Sequence, residues 1–240
     1  MAIETDRPLY ESFNNGVGAL SHTWAGNIDR SVGGEIKLTG QSGTMEFPSG
    51  KWAGHGYGTY TVNAKIDGNE PGPAILLWPG DDSWPGQEID LVEVSPNGSG
   101  QQYATVHWND NGNSYEAKTL HGVQSGVFHD YQLVWEPGRM TFKVDGAEKA
   151  VFTNHIPADY DNGGMNNVIG VMNDNNNTAL TVRSVEYQPL GGGGAPARSE
   201  PAAFDGGSPY TLPAGGGAVD WAALAAQVTA NHAATGQWFI

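Results

Sequence analysis

Hydrophobic and polar residues alternate in short runs along most of this chain. The stretch "YGTYTVNAKID" (57–67) is the plainest case: Tyr60, Val62, Ala64 and Ile66 fall at every second position with polar residues between them. A two-residue period is that of a strand with one buried face. "GEIKLTG", "PAILLWP", "QYATVHWN", "YEAKTLHG", "DYQLVWEPGRMTFKVDG" and "ALTVRSVEY" also read as strands, punctuated by Gly, Pro, Asn and Asp. "EPGR" reads as a hairpin turn between two of them. No part of residues 1–190 carries a helical period. The pattern predicts one all-β domain over 1–190, a β-jelly-roll or sandwich of packed antiparallel sheets.

The pattern breaks after Gln188. Residues 191–218 are rich in Gly, Pro and Ala and read as a linker. In 219–240, Trp221, Leu224, Ala225 and Val228 recur at helical spacing, with Asp220 placed to cap and Gly236 to terminate. This predicts a short C-terminal helix and tail.

One predicted strand carries an anomaly. "WPGQEIDLVEV" (84–94) holds three carboxylates, Glu88, Asp90 and Glu93, among Ile89, Leu91, Val92 and Val94. A regular strand would send Glu93 to the face opposite Glu88 and Asp90, and Val94 away from Ile89 and Leu91. One extra residue at Leu91–Val92 corrects both parities at once. That is a β-bulge, a device that re-aims side chains beside active sites. Two carboxyl groups about 5–5.5 Å apart are what a retaining glycosidase needs, and a third between them can separate their proton affinities. Acids on the wet face of a half-buried strand are also common, so the trio alone leaves both readings open.

Composition narrows the partners. Eleven Lys+Arg against 26 Asp+Glu give a formal charge of −15, which repels nucleic acid and anionic membranes and weighs against a heavily sulfated substrate. No apolar run approaches the ~20 residues of a membrane helix. There is no cysteine, hence no disulfide framework or thiolate metal site. The opening "MAIETDRPLY" lacks a signal-peptide core; the expectation is a secreted monomer whose leader has been removed.

"WPGQEIDLVE" resembles the bulged active-site signature of the family-16 glycoside hydrolases, as in laminarinases, agarases and carrageenases. The likeness extends over "GYGTYTVNAKIDGNEPGPAILLWPGDDSWPGQEIDLVEV", "VHW" (106–108), "VFHDYQLVWEPGRMTFKVDG" and "VRSVEY", in order over roughly residues 8 to 189. It implies a jelly roll whose concave sheet binds a polysaccharide, with Glu88 as nucleophile, Asp90 its neighbour and Glu93 the acid/base. On that basis Glu88 is expected to be ionised and Glu93 to have a raised pKa. It also implies that His107 contacts sugar in the cleft. Trp84 and Trp108 are candidates for stacking on sugar, and Trp24 and Trp52 for platforms at the cleft rim. Trp78 and Trp135 alternate with apolar neighbours and read as core, with Trp78 kept as a secondary substrate-binding candidate. Asn173 in "VMNDNNN" is a candidate hydrogen-bond donor to sugar. No cofactor is required. The histidines lack zinc-ligand spacing. Arg183 stands where family members often place a calcium-binding Asp, which puts that ion in doubt. The expected activity is endo-hydrolysis of a β-1,3- or mixed-linkage β-1,3-1,4-glucan. Galactan or exopolysaccharide cleavage, transglycosylation, and non-catalytic carbohydrate binding are the alternatives.

Overall fold

The computed structural model describes residues 7–24 and 26–191. Apart from Gly191, the expected linker and C-terminal helix lie outside these residues. The described residues form β1 Leu9–Glu11, β2 His22–Trp24, β3 Ile28–Asp29, β4 Ile36–Met45, β5 Gly58–Asp67, β6 Ala74–Pro79, β7 Ile89–Val94, β8 Gln102–Asn109, β9 Asn113–Thr119, β10 Phe128–Glu136, β11 Arg139–Val144, β12 Ala147–Phe152 and β13 Asn167–Pro189. Their only helix is a 3-10 turn at Tyr160–Asn162.

The strands pair antiparallel in the order β12-β11-β10-β5-β13-β6-β7-β8-β9. The 23-residue β13 belongs to both layers of a jelly roll. Its C-terminal half pairs with β5, and Asn167–Met172 pair with β6. Strand β4 crosses the layers with it, pairing Gly170–Asn175 and then Ala179–Val182, with an irregularity between Asn175 and Ala179. The sheet therefore folds over on itself, and β10–β5 come to cover β6–β8.

The core lies between the layers. Tyr60, Val62, Ala64 and Ile66 of β5, Tyr131, Leu133 and Trp135 of β10, and Ile75, Leu77, Ile89, Ala104 and Val106 of the facing layer join one buried cluster. Strand β5 alternates buried and half-exposed residues, as a strand between core and solvent must. Strand β7 differs, being buried at every position. Its second face does not meet open solvent, and that face carries the acids. Between β10 and β11, Gly138 takes φ +72°, which the tight "EPGR" hairpin loop requires and glycine supplies without strain.

Candidate active site

The bulge in β7 is present against both neighbours. On β8, Asp90 pairs with Thr105 and Glu93 with Tyr103, so three steps along β7 match two along β8. On β6, Leu76 pairs with Asp90 but Ile75 with Val92, leaving Leu91 over. Ile89, Leu91, Val92 and Val94 all enter the main core. Glu88, Asp90 and Glu93 consequently share the other face.

The register of the neighbouring strands identifies what else lies on that face. Ala74 and Leu76 sit opposite Glu93 and Asp90, and Trp78 follows by alternation. On β13 the partners of Trp78, Leu76 and Ala74 are Val168, Gly170 and Met172. Next come Met45 and Gly43 of β4, and then His22 and Trp24 of β2. Met45, Ala53 and Val168, with Trp24 and Trp78 packed on them, form a second apolar cluster separate from the core. Trp24 lies over Gly43, where a Cβ would collide with its indole. On the other side β8 contributes Tyr103, Thr105 and His107, and β9 contributes Tyr115, Ala117 and Thr119. A cleft of about 250 Å³ opens there, lined by Glu93, Tyr103, Thr105, His107 and Tyr115 among others. Trp78 stacks on Trp84 (ring centroids 5.3 Å apart), Trp84 tilts against His107 (5.5 Å), and His107 against Tyr115 (5.6 Å). One aromatic row thus runs past the acids.

Each acid has a different polar environment. Glu88 is wholly buried, and neither of its carboxyl oxygens has a hydrogen-bond partner among the described residues. Asp90 Oδ2 lies 3.3 Å from His107 Nε2, and His107 Nδ1 lies 3.0 Å from Asn113 Oδ1. Glu93 Oε2 accepts a 2.5 Å hydrogen bond from Thr105 Oγ1. Burial raises the proton affinity of all three. The charges of Asp90 and Glu93 add to this at Glu88, and that of Asp90 at Glu93. His107 opposes it at Asp90, and the hydroxyls of Thr105 and Tyr103 oppose it at Glu93. The expected contrast, an ionised Glu88 beside a raised Glu93, is therefore not set by these surroundings. Both are pushed up, and only Glu93 has donors holding it down.

The position of Glu88 is fixed through its backbone. Its carbonyl accepts from the His107 amide at 2.8 Å. The preceding carbonyl, of Gln87, accepts from Asn167 Nδ2 at 2.7 Å, and the same amide also bonds the Leu77 carbonyl at 2.7 Å. Gln87 Nε2 returns a 2.6 Å bond to Asn167 Oδ1. Asn167 thus ties β6 to the entrance of β7. Nothing in the sequence pattern singles out this pair, which is 80 residues apart.

Several sequence expectations need correction. Trp108 is not on the acid face. It follows His107 on a regular strand, so it points the other way and stacks on His155 with centroids 3.8 Å apart and rings at 5°. Asn173 does not offer its amide to a cleft either. It is fully buried and one residue out of phase with Met172; its Nδ2 bonds the carbonyls of Gly40 and Asn175, and its Oδ1 accepts from Thr178. Those bonds close the irregularity in β13. The core reading of Trp78 is also corrected: it is half-buried on the acid face, donating its Nε1 to Asp82 at 2.8 Å. Trp135 is a core residue. Trp52 is 42% exposed beyond Ala53 of the second apolar cluster. Tyr103, Thr105 and Tyr115 were missed, although alternation from His107 points to the first two.

For metals, Glu88, Asp90 and His107 bring one ligand atom each within 4.8 Å of one another. The trio is drawn from β7, the residue that precedes it, and β8, which a linear His-spacing motif does not detect. The Arg183 guanidinium lies 3.6 Å from the centre of the Phe128 ring and its Nε 3.2 Å from Glu35.

A family model described as glycosyl hydrolases family 16 matches residues 19–187. No curated protein matches the sequence significantly. Among solved structures, a prokaryotic β-1,3-1,4-glucanase (lichenase) from a mouse hindgut metagenome superposes with a TM-score of 0.58 at 19% identity, over 76% of this chain and 99% of that one. The Bacillus licheniformis β-glucanase gives 0.55 at 20% identity, over 75% and 97%. A Crh5 transglycosylase gives 0.52 at 16%, over 77% and 85%. At these identities the likeness is one of fold.

Proposed function

Because the chain belongs to glycosyl hydrolases family 16, we propose that it is a retaining endo-glycosidase acting on a β-linked polysaccharide, a β-1,3- or mixed-linkage β-1,3-1,4-glucan. The observation that carries this reading is the bulge, which gathers three buried carboxyl groups on one face beside an aromatic row. In the first step the Glu88 carboxylate attacks the anomeric carbon, and the bond to the leaving oxygen breaks with its electron pair. Glu93 gives that oxygen its proton. In the second step Glu93, now a carboxylate, takes a proton from water as the water oxygen displaces Glu88, and the configuration at the anomeric carbon is retained. Asp90, between the two and beside His107, tunes both carboxyls.

The glucan choice is supported by the cleft and the charge. The floor beyond β6 is apolar and aromatic, suited to the C–H faces of neutral sugars, and the chain's −15 charge disfavours a sulfated galactan. The neighbours described as a β-glucanase and a lichenase agree with it. Reducing-sugar release from laminarin, lichenan, agarose, carrageenan and xyloglucan tests the reading, with laminarin or lichenan expected to lead. Glu88→Ala should lose several orders of magnitude in rate. Azide should then restore turnover of an activated aryl glycoside with an inverted product. An inactive parent protein would favour a binding module instead, and an inverted product from the parent would end the retaining mechanism.

A further inference from the structure

Glu93 emerges from the bulge opposite Tyr103 on β8, with Thr105 beside it. Thr105 Oγ1 donates to Glu93 Oε2 at 2.5 Å, and both side chains are buried, at 2% and 4% exposure. The position itself has no need of a hydroxyl. Its neighbours in sequence are Ala104 and Val106, and valine would fill the same volume in a strand. A buried hydroxyl there is explained by what it touches. Resting on the reading of Glu93 as acid/base, we propose that Thr105 is a positioning residue for that group: its hydroxyl anchors Oε2, orients the carboxyl toward the cleft and eases release of the proton to the leaving oxygen.

The surroundings leave this task to β8. From β7, Glu88 and Asp90 share the face of Glu93, and the charge of Asp90 opposes its ionisation. From β6 the facing residues are Ala74 and Leu76, which carry no charge. From β13 it is Met172, with Asp174 one turn of the pleat further on. From β9, Tyr115 lies across the cleft. On β8, His107 lies beside Asp90, and Tyr103 sits opposite Glu93 in the register, its hydroxyl favouring the charged form. Burial and the charge of Asp90 raise Glu93's hold on its proton; the Thr105 and Tyr103 hydroxyls are what counter it. A hydrogen bond to a buried carboxylate favours the charged form strongly, so losing the Thr105 contact should be visible in a titration.

The test compares Thr105→Val, which removes the hydroxyl and keeps the shape, with Thr105→Ser, which keeps the hydroxyl. The first readout is the carbon-13 NMR titration of the Glu93 carboxyl, assigned by its loss in Glu93→Gln. Thr105→Val should raise its midpoint by about one pH unit, and Thr105→Ser should return it to the parent value. The second readout is kinetic. In Thr105→Val the alkaline limb of kcat/KM should move upward with the midpoint. Turnover of the polysaccharide should fall about tenfold, and the first step on an activated aryl glycoside should change little, since a good leaving group needs little protonation. An unmoved midpoint, or Thr105→Ser behaving as Thr105→Val, would overturn the proposal. A moved midpoint with an unmoved kinetic limb would overturn the acid/base role of Glu93 instead, while leaving the anchoring contact established.

Discussion

On one flank of the acid strand, β6 and β13 turn Ala74, Leu76, Trp78, Val168, Gly170 and Met172 to the cleft. On the other, β8 and β9 turn Tyr103, Thr105, His107 and Tyr115. The first set contains no ionisable group; the second is made almost wholly of groups that donate, accept or titrate. The first flank can hold a sugar through its apolar faces and dry the site, which strengthens every charge interaction inside it. The second can set where protons reside. On the proposed function, binding and proton management are divided between neighbouring strands, with the bulged strand as the boundary.

The division breaks if an aromatic residue on the apolar flank proves to matter for chemistry more than for binding. Trp24, lying over Gly43 two strands beyond β6, is the cleanest probe because it is far from the acids in the register. Trp24→Ala should raise KM about tenfold, the loss of one stacked aromatic anchor, with kcat within about twofold. Michaelis–Menten kinetics on the preferred glucan checks this. A fall in kcat with KM unchanged would mean that the apolar flank takes part in the reacting geometry.

The next effect is on stability and concerns the boundary itself. Burial, reinforced by Asp90 and Glu93, raises the pKa of Glu88. A carboxyl raised on folding contributes stability that is whole below its unfolded pKa and is lost as pH rises through its folded pKa. Glu88→Gln keeps the neutral form at every pH. The variant should therefore match the parent near pH 4 and exceed it at pH 7, by on the order of 1–3 kcal/mol for relief of a buried charge without a partner. Thermal melts at both pH values read the difference. Equal Tm shifts at the two pH values would show that Glu88 titrates as an ordinary carboxyl.

Much of this arrangement is legible in the sequence, and the failures have physical causes. The bulge could be read because the core supplies an independent parity: Ile89, Leu91 and Val94 must face one way, so the acids must face the other. The long strand β13 could not, because "NDNNN" looks like a loop, whereas the chain holds its pairing across it by stitching Asn173 to Thr178 and to the carbonyls of Gly40 and Asn175. Trp78 was obscured because its face depends on the register between β6 and β7, a relation between strands that one strand's alternation does not contain. The Gln87–Asn167 clasp fails for the same reason. Trp24 stands in a strand of three residues, too short to show a period. Trp108 is different: the signal was available. Once His107 is assigned to the cleft, alternation assigns its neighbour elsewhere.

His107 and Trp108 therefore give the finest test, since adjacent residues on one strand are assigned to opposite faces. Trp108 stacks flat on His155, away from Asp90 and Glu93. Trp108→Ala removes that stack and some buried area, a loss of about 1 kcal/mol from the ring pair alone. In a domain of this size that corresponds to a fall in Tm of about 2–4 °C. The catalytic constants per folded molecule should stay at the parent's level, because nothing on the acid face has changed. The measurement needs both readouts from one preparation: the melt to show that the substitution is felt, and kcat and KM at a temperature where the variant is fully folded. A drop in kcat/KM without loss of stability would place Trp108 in the cleft after all. It would also require β8 to depart from simple alternation between Val106 and Asn109, and so would displace His107 from Asp90 and undo the division between the two flanks.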